Sequence, residues 1–194
     1  MKIVSIVVCG VGGQGILTAS DIVAKIALRG GYDVKKSEVH GMSQRGGSVI
    51  SAIRYGDKVY SPLVTEGMAD YILSFEKLEA LRNLPRLKNH GVVISNDYKV
   101  NPASVLSGEF EYPEDIEERI INAGVELELI PGIELAHKTG NIKTVNTILL
   151  GALAKRLSFQ KENWIQAIYE RVPKETHNSN KKAFELGYNF KGED

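Results

Sequence analysis

Near the start of the chain, Cys9-Gly10-Val11-Gly12-Gly13-Gln14-Gly15 sets a thiol, four glycines and a carboxamide in a GxGGxG spacing that also satisfies GxGxxG. The chemistry this offers is anion binding. Glycine reaches φ > 0 and lets a ligand come close to the main chain. A helix starting just after such a turn aims free N–H groups and its positive dipole end at an anion, usually phosphate. The same spacing also makes a strand-to-helix turn with no ligand, so this loop alone leaves both readings open.

A second glycine-rich segment, His40-Gly41-Met42-Ser43-Gln44-Arg45-Gly46-Gly47, carries a hydroxyl and a guanidinium. The planar fork of Arg45 suits two phosphate oxygens at once, and a hydrogen bond to a charged group is worth about 1.5–3 kcal/mol net. Where loops meet at the carboxyl ends of neighbouring strands, they share one crevice. The two segments together would form an anion or pyrophosphate cradle from Gly10, Gly12, Gly13, Gln14, Gly15, Ser43, Arg45, Gly46 and Gly47. The competing reading has Ser43 and Arg45 holding the loop or a subunit contact.

Other reactive side chains carry less. Glu38 lies 23 residues past Gly15, close to the distance at which dinucleotide folds place a ribose-binding acid. His40 titrates in the range of a general acid or base, with a reference pKa of ~6.5, but has no Asp or Cys at a recognisable spacing, which favours a structural role. Cys9 precedes a helix start that could lower its pKa; a small buried hydrophobe is the commoner role. His90, His137 and His177 are scattered, and no HxxxH, HExxH, CxxC, GxSxG or Walker lysine pattern occurs, so no protein metal site is expected.

The elements that must position these residues read as α/β. Lys2–Cys9 is a buried strand, rich in β-branched residues. Gly15–Leu28 is a helix stopped by Arg29-Gly30-Gly31, and Tyr32–Val39 is a second strand. Ser48–Tyr55 alternates as a strand, with Lys58–Ser61 expected to pair back on it as a short hairpin across Gly56-Asp57. Strands follow at 69–75, 91–95 and 125–130, with helices at 76–84, 113–123, 131–136, 144–157, 161–171 and 176–186, and a surface excursion at 96–113. This order predicts a Rossmann-like three-layer sandwich: a mostly parallel sheet with helices on both faces and a β-hairpin, as one domain over residues 1–194.

Composition narrows the function classes. The 194 residues suffice to bury roughly 70% of the unfolded surface. Lys plus Arg equals Asp plus Glu at 24 each, so charge gives no reason to expect nucleic acid or an anionic membrane as partner. One cysteine excludes an internal disulfide and a self-contained four-thiolate cluster, and suits a reducing cytoplasm. No signal-peptide pattern or apolar run of 18 residues is present, so a cytoplasmic chain is expected.

The strings Gly10-Val-Gly-Gly-Gln-Gly15 and Ser37-Glu-Val-His-Gly-Met-Ser-Gln-Arg-Gly-Gly-Ser48 resemble the gamma-type module of the 2-oxoacid:ferredoxin oxidoreductase family, and within it the beta subunits of the indolepyruvate-type enzymes. Ala69–Arg82, Asn146–Leu153 and Asn180–Gly187 are similar to further blocks of that family, in family order along nearly the whole chain. The resemblance implies a non-cluster subunit that supports coenzyme A-dependent oxidative decarboxylation of aryl 2-oxoacids to aryl-acetyl-CoA with reduction of ferredoxin. It implies coenzyme A as ligand of the two glycine loops, and an alpha-type partner carrying thiamine diphosphate and the iron–sulfur clusters. An isolated module with a large partner-facing surface would also have the means to self-associate. Two other readings stay open: a free-standing NAD(P)-binding oxidoreductase that uses Glu38, and a scaffold subunit whose glycine loop is empty.

Overall fold

The computed structural model describes residues 3–40 and 47–192. Ser43, Arg45 and Gly46 lie outside the described residues. The described elements are β1 (Val4–Val11), α1 (Ile16–Arg29), β2 (Asp33–His40), β3 (Ser48–Gly56), β4 (Ala69–Ser74), α2 (Lys77–Asn83), β5 (Leu87–Asn96), α3 (Ala103–Leu106), α4 (Ile116–Asn122), β6 (Glu126–Ile130), α5 (Gly132–Thr139), α6 (Val145–Ala154), α7 (Lys161–Tyr169) and α8 (His177–Tyr188). The strands form one sheet in the order β2-β3-β1-β4-β5-β6. β1, β4, β5 and β6 run parallel, while β3 is antiparallel to both β1 and β2.

Successive side chains of β1 point to opposite faces, and both faces are covered. Ile6 and Val8 join the larger apolar cluster with residues of α1, α5, α6, α7 and α8. Val7 and Cys9 join a smaller cluster with residues of α2 and α4. Burial on both sides is why β1 reads as a nearly unbroken apolar run. Among the described residues, no helix is long and apolar enough to cross a membrane.

The hairpin is not where the sequence placed it. Residues 58–61 form no strand; instead β2 and β3 make the antiparallel pair, with Asp33 opposite Gly56 and His40 opposite Val49. The stretch after β3 is held by side chains: Asp33 accepts from the Val59 N–H (2.9 Å), and Arg54 donates to the carbonyls of Ser61 (3.0 Å) and Leu63 (3.2 Å). β5 is also longer than 91–95. It starts at Leu87, paired with Ala69, and passes an irregularity before its regular register begins at Val92 opposite Tyr71. His90 within that irregularity is the one described non-glycine residue at positive φ (61°).

α6 and α8 cross at two glycines. A Cβ on Gly151 would sit 2.3 Å from the Phe184 carbonyl oxygen, and one on Gly187 would sit 1.8 Å from that of Ile148. On the same pair of helices, Asn180 accepts from the Thr147 hydroxyl at 2.6 Å and donates to the Thr176 carbonyl at 2.9 Å. This ties α8 to the first turn of α6, where Asn146 faces the first glycine loop.

Candidate functional site

β1 delivers the first glycine loop at its carboxyl end. The turn closes on itself: the Gln14 carboxamide oxygen accepts from the Val11 N–H at 2.7 Å, and its nitrogen donates to the Phe75 carbonyl at 3.4 Å. Gly10 makes room for that side chain, since a Cβ there would meet Gln14 Oε1 at 2.6 Å and Phe75 Cβ at 2.8 Å. Gly10 and Gln14 therefore shape the loop from inside. Gly12, Gly13 and Gly15 line an open cleft of about 390 Å³ with the first turn of α1 and Val49.

Two features make this cleft suitable for an anion. Gly13 and Gly15 have φ of 99° and 90°, a region that L side chains rarely adopt. The N-cap of α1 is Gly15, which has no side chain to cap the helix, and the first turn has no acidic residue. Its first N–H groups thus have no partner within the helix, and the positive dipole end is not neutralised. Asn146 borders this turn, its Nδ2 lying 3.1 Å from where a Gly15 Cβ would be.

The second glycine loop reaches the first by way of β3. Val11 lies opposite Ser48 in the β1–β3 ladder, and the Gly12 N–H donates to the Gly47 carbonyl at 2.9 Å. The described end of the second loop is thereby fixed beside the first.

On the other face of the sheet a second cleft, about 530 Å³, opens between Gly47-Ser48, the start of α2 and residues 100–106. Its floor holds two carboxylates that look like ordinary solvated helix charges in the sequence. Glu76 is 1% exposed and Glu79 2%. Glu76 caps α2 by accepting from the Glu79 N–H (2.9 Å), and its other oxygen accepts from Tyr112 Oη (2.6 Å) and the Val100 N–H (3.2 Å). Glu79 accepts from Ser48 Oγ at 2.5 Å and from Arg82 Nη1 at 2.6 Å. Both clefts lie at the carboxyl end of β1, where the chain covers one face of the sheet with α1 and the other with α2. This is the switch-point position at which open α/β sheets bind ligands.

The remaining candidates separate from the cleft. β3 lies between β1 and β2, so at ~4.8 Å per strand spacing the backbone of β2 runs ~10 Å from β1. Glu38 on β2 is paired with Lys36 at 2.6 Å. Among the described residues no group of three or more His, Cys, Asp or Glu could hold a metal ion. Cys9 is fully buried, and its thiol lies 3.4 Å from Ser74 Oγ and 3.5 Å from the Glu79 carbonyl. Burial pushes its pKa up to about 12, with the Ser74 hydrogen bond working against that shift. Essentially no thiolate exists at pH 8 in the folded chain, and the thiolate is the nucleophile. The folded protein is expected to leave a thiol-reactive disulfide reagent unreacted at pH 8 and to release one equivalent on unfolding. Fast reaction while folded would contradict the buried environment.

The family model described as pyruvate ferredoxin/flavodoxin oxidoreductase matches residues 5–190. The chain is 45% identical over 192 residues to the indolepyruvate oxidoreductase subunit IorB of Thermococcus kodakarensis, covering 96% of this chain and 95% of that one. In structure it is similar to the pyruvate oxidoreductase subunit PORC of Thermotoga maritima, with TM-score 0.75 and 20% identity over 97% of this chain and 96% of that one. It is also similar to a 2-oxoglutarate:ferredoxin oxidoreductase from Magnetococcus marinus solved with 2-oxoglutarate, coenzyme A and succinyl-CoA. There the TM-score is 0.73 at 21% identity, covering 97% of this chain and 31% of that longer one.

Proposed function

The chain belongs to the pyruvate ferredoxin/flavodoxin oxidoreductase family, and we propose that it is the non-cluster subunit of an indolepyruvate-type complex that holds coenzyme A. The supporting observation is the uncapped start of α1 beneath a cleft lined by Gly12, Gly13 and Gly15. A glycine-lined helix start, with its first-turn N–H groups unpaired within the helix and the positive dipole end behind them, suits a pyrophosphate. The cleft on the other face, bordered by Val100, Pro102, Ala103 and Leu106, offers a mostly apolar path for an uncharged amide arm. Coenzyme A has both parts.

The chemistry is then divided between chains. One cysteine cannot supply the four thiolates that an iron–sulfur cluster usually takes. Thiamine diphosphate and the clusters belong to an alpha-type partner, which decarboxylates the aryl 2-oxoacid and passes electrons to ferredoxin. This chain binds and orients the acyl acceptor, so that its thiol reaches the partner's reacting carbon; the gain is positional. We place the complex in the cytoplasm and treat the chain as one domain.

The NAD(P) reading is less well supported, because β3 sets Glu38 one strand further from the glycine loop than a ribose-binding acid requires. Calorimetric titration of the purified chain separates the two. Saturable binding of coenzyme A, competed by ADP and without a matching NADH isotherm, is the expected result. Saturable NADH binding that is lost in Glu38→Ala would overturn it.

A further inference from the structure

We infer that Glu79 is a positioning residue that holds Gly47-Ser48, where β3 begins, against the first glycine loop; its effect on ligand rests on the coenzyme A reading above. Glu79 sits in α2 yet touches the first residue of β3, 31 residues earlier, through the 2.5 Å bond from Ser48 Oγ. Its other oxygen takes the Arg82 guanidinium at 2.6 Å. Both bonds involve an ionised group and are of the stronger class. The Glu79 side chain is 3% exposed and that of Arg82 45%, so the bond to Ser48 is the better shielded of the two.

From Ser48 the constraint passes along two short links. Gly47, its neighbour, accepts from the Gly12 N–H at 2.9 Å, and Ser48 itself lies opposite Val11 in the ladder. Gly12 lines the cleft over α1, while Gly47, Ser48 and Glu79 line the cleft over α2. Glu79 therefore fixes the seam between the two clefts, which a ligand occupying both must cross. Truncation to Ala breaks the Ser48 bond; an amide does not, because with its oxygen on Arg82 its NH₂ can still donate to Ser48 Oγ.

The test is a double-mutant cycle of Glu79→Ala and Ser48→Ala, read by coenzyme A titration of the full chain. Each single variant is expected to weaken coenzyme A by about tenfold, the loss of one charge-assisted bond. The double variant is expected to be no weaker than the worse single one. In the assembled complex the KM for coenzyme A rises, while the KM for the 2-oxoacid and kcat at saturating coenzyme A hold. A general loss of fold would move all three together. Unchanged affinity in both single variants, or fully additive losses, overturns the inference. Amide exchange at Gly12 is the ligand-independent readout. If the wild-type chain binds no coenzyme A, the ligand assignment fails, and faster Gly12 exchange in both variants still supports the role of Glu79; unchanged exchange overturns it. Should Glu79→Ala fail to fold, Ser48→Ala breaks the same bond from the other side and carries the test alone.

Discussion

Gly187→Ala is expected to destabilise the protein by about 3 kcal/mol or more, at the top of the usual range for overpacking. The added Cβ would sit 1.8 Å from the Ile148 carbonyl oxygen, and that oxygen belongs to the backbone of α6. It has no rotamer to change, so relief requires α6 and α8 to move apart. Separation would loosen buried neighbours on both helices, among them Ile148, Leu149, Ala183 and Phe184. It would also disturb the Asn180–Thr147 bond at 2.6 Å and, through Asn146, the border of the glycine loop. Urea unfolding of the purified variant measures the loss directly. Gly151→Ala, whose Cβ would meet the Phe184 carbonyl at 2.3 Å, should behave alike. Wild-type stability in both variants would mean that the helices do not cross this closely.

Gly13→Leu carries the largest expected effect on ligand binding. Among the described residues, a Cβ there meets no atom within 4 Å beyond its chain neighbours, so the new side chain is directed toward the cleft over α1 rather than into the core. The folding penalty comes from φ of 99° and should stay within about 1–2 kcal/mol. Coenzyme A affinity should fall by at least about tenfold, because the side chain occupies the approach to the helix N–H groups. Titration and thermal unfolding of the same sample separate the two effects. Full affinity in a folded Gly13→Leu chain would remove this cleft from consideration as the pyrophosphate site.

Much of this arrangement was legible in the residues. The continuous apolar run of β1, the glycine turn and the amphipathic helices announced α/β layering, because burial on two faces leaves a different periodicity from burial on one. Two of the family-like segments, Asn146–Leu153 and Asn180–Gly187, proved to be the helices that cross at Gly151 and Gly187. Strand order was not legible. Ser48–Gly56 reads the same whether it pairs outward with 58–61 or inserts between β1 and β2, since alternation reports faces and not neighbours. That insertion moved Glu38 away from the glycine loop and brought Gly47 to it. Glu76 and Glu79 were hidden for a related reason. In Phe75-Glu-Lys-Leu-Glu-Ala-Leu-Arg82 they look like solvated helix charges, and only the three-dimensional approach of Ser48 and Tyr112 explains their burial. An acid at the strand-to-helix junction, with Arg82 three residues after Glu79, was the available signal.

The proposed role is that of a chain that completes a coenzyme A-dependent 2-oxoacid:ferredoxin oxidoreductase. The direct test is to mix it with an alpha-type indolepyruvate oxidoreductase subunit, separate the mixture by size-exclusion chromatography, and assay fractions with indolepyruvate, coenzyme A and ferredoxin. Co-elution with coenzyme A-dependent ferredoxin reduction, absent from either chain alone, is the predicted result. A chain that elutes by itself and leaves the partner's turnover unchanged would contradict that role.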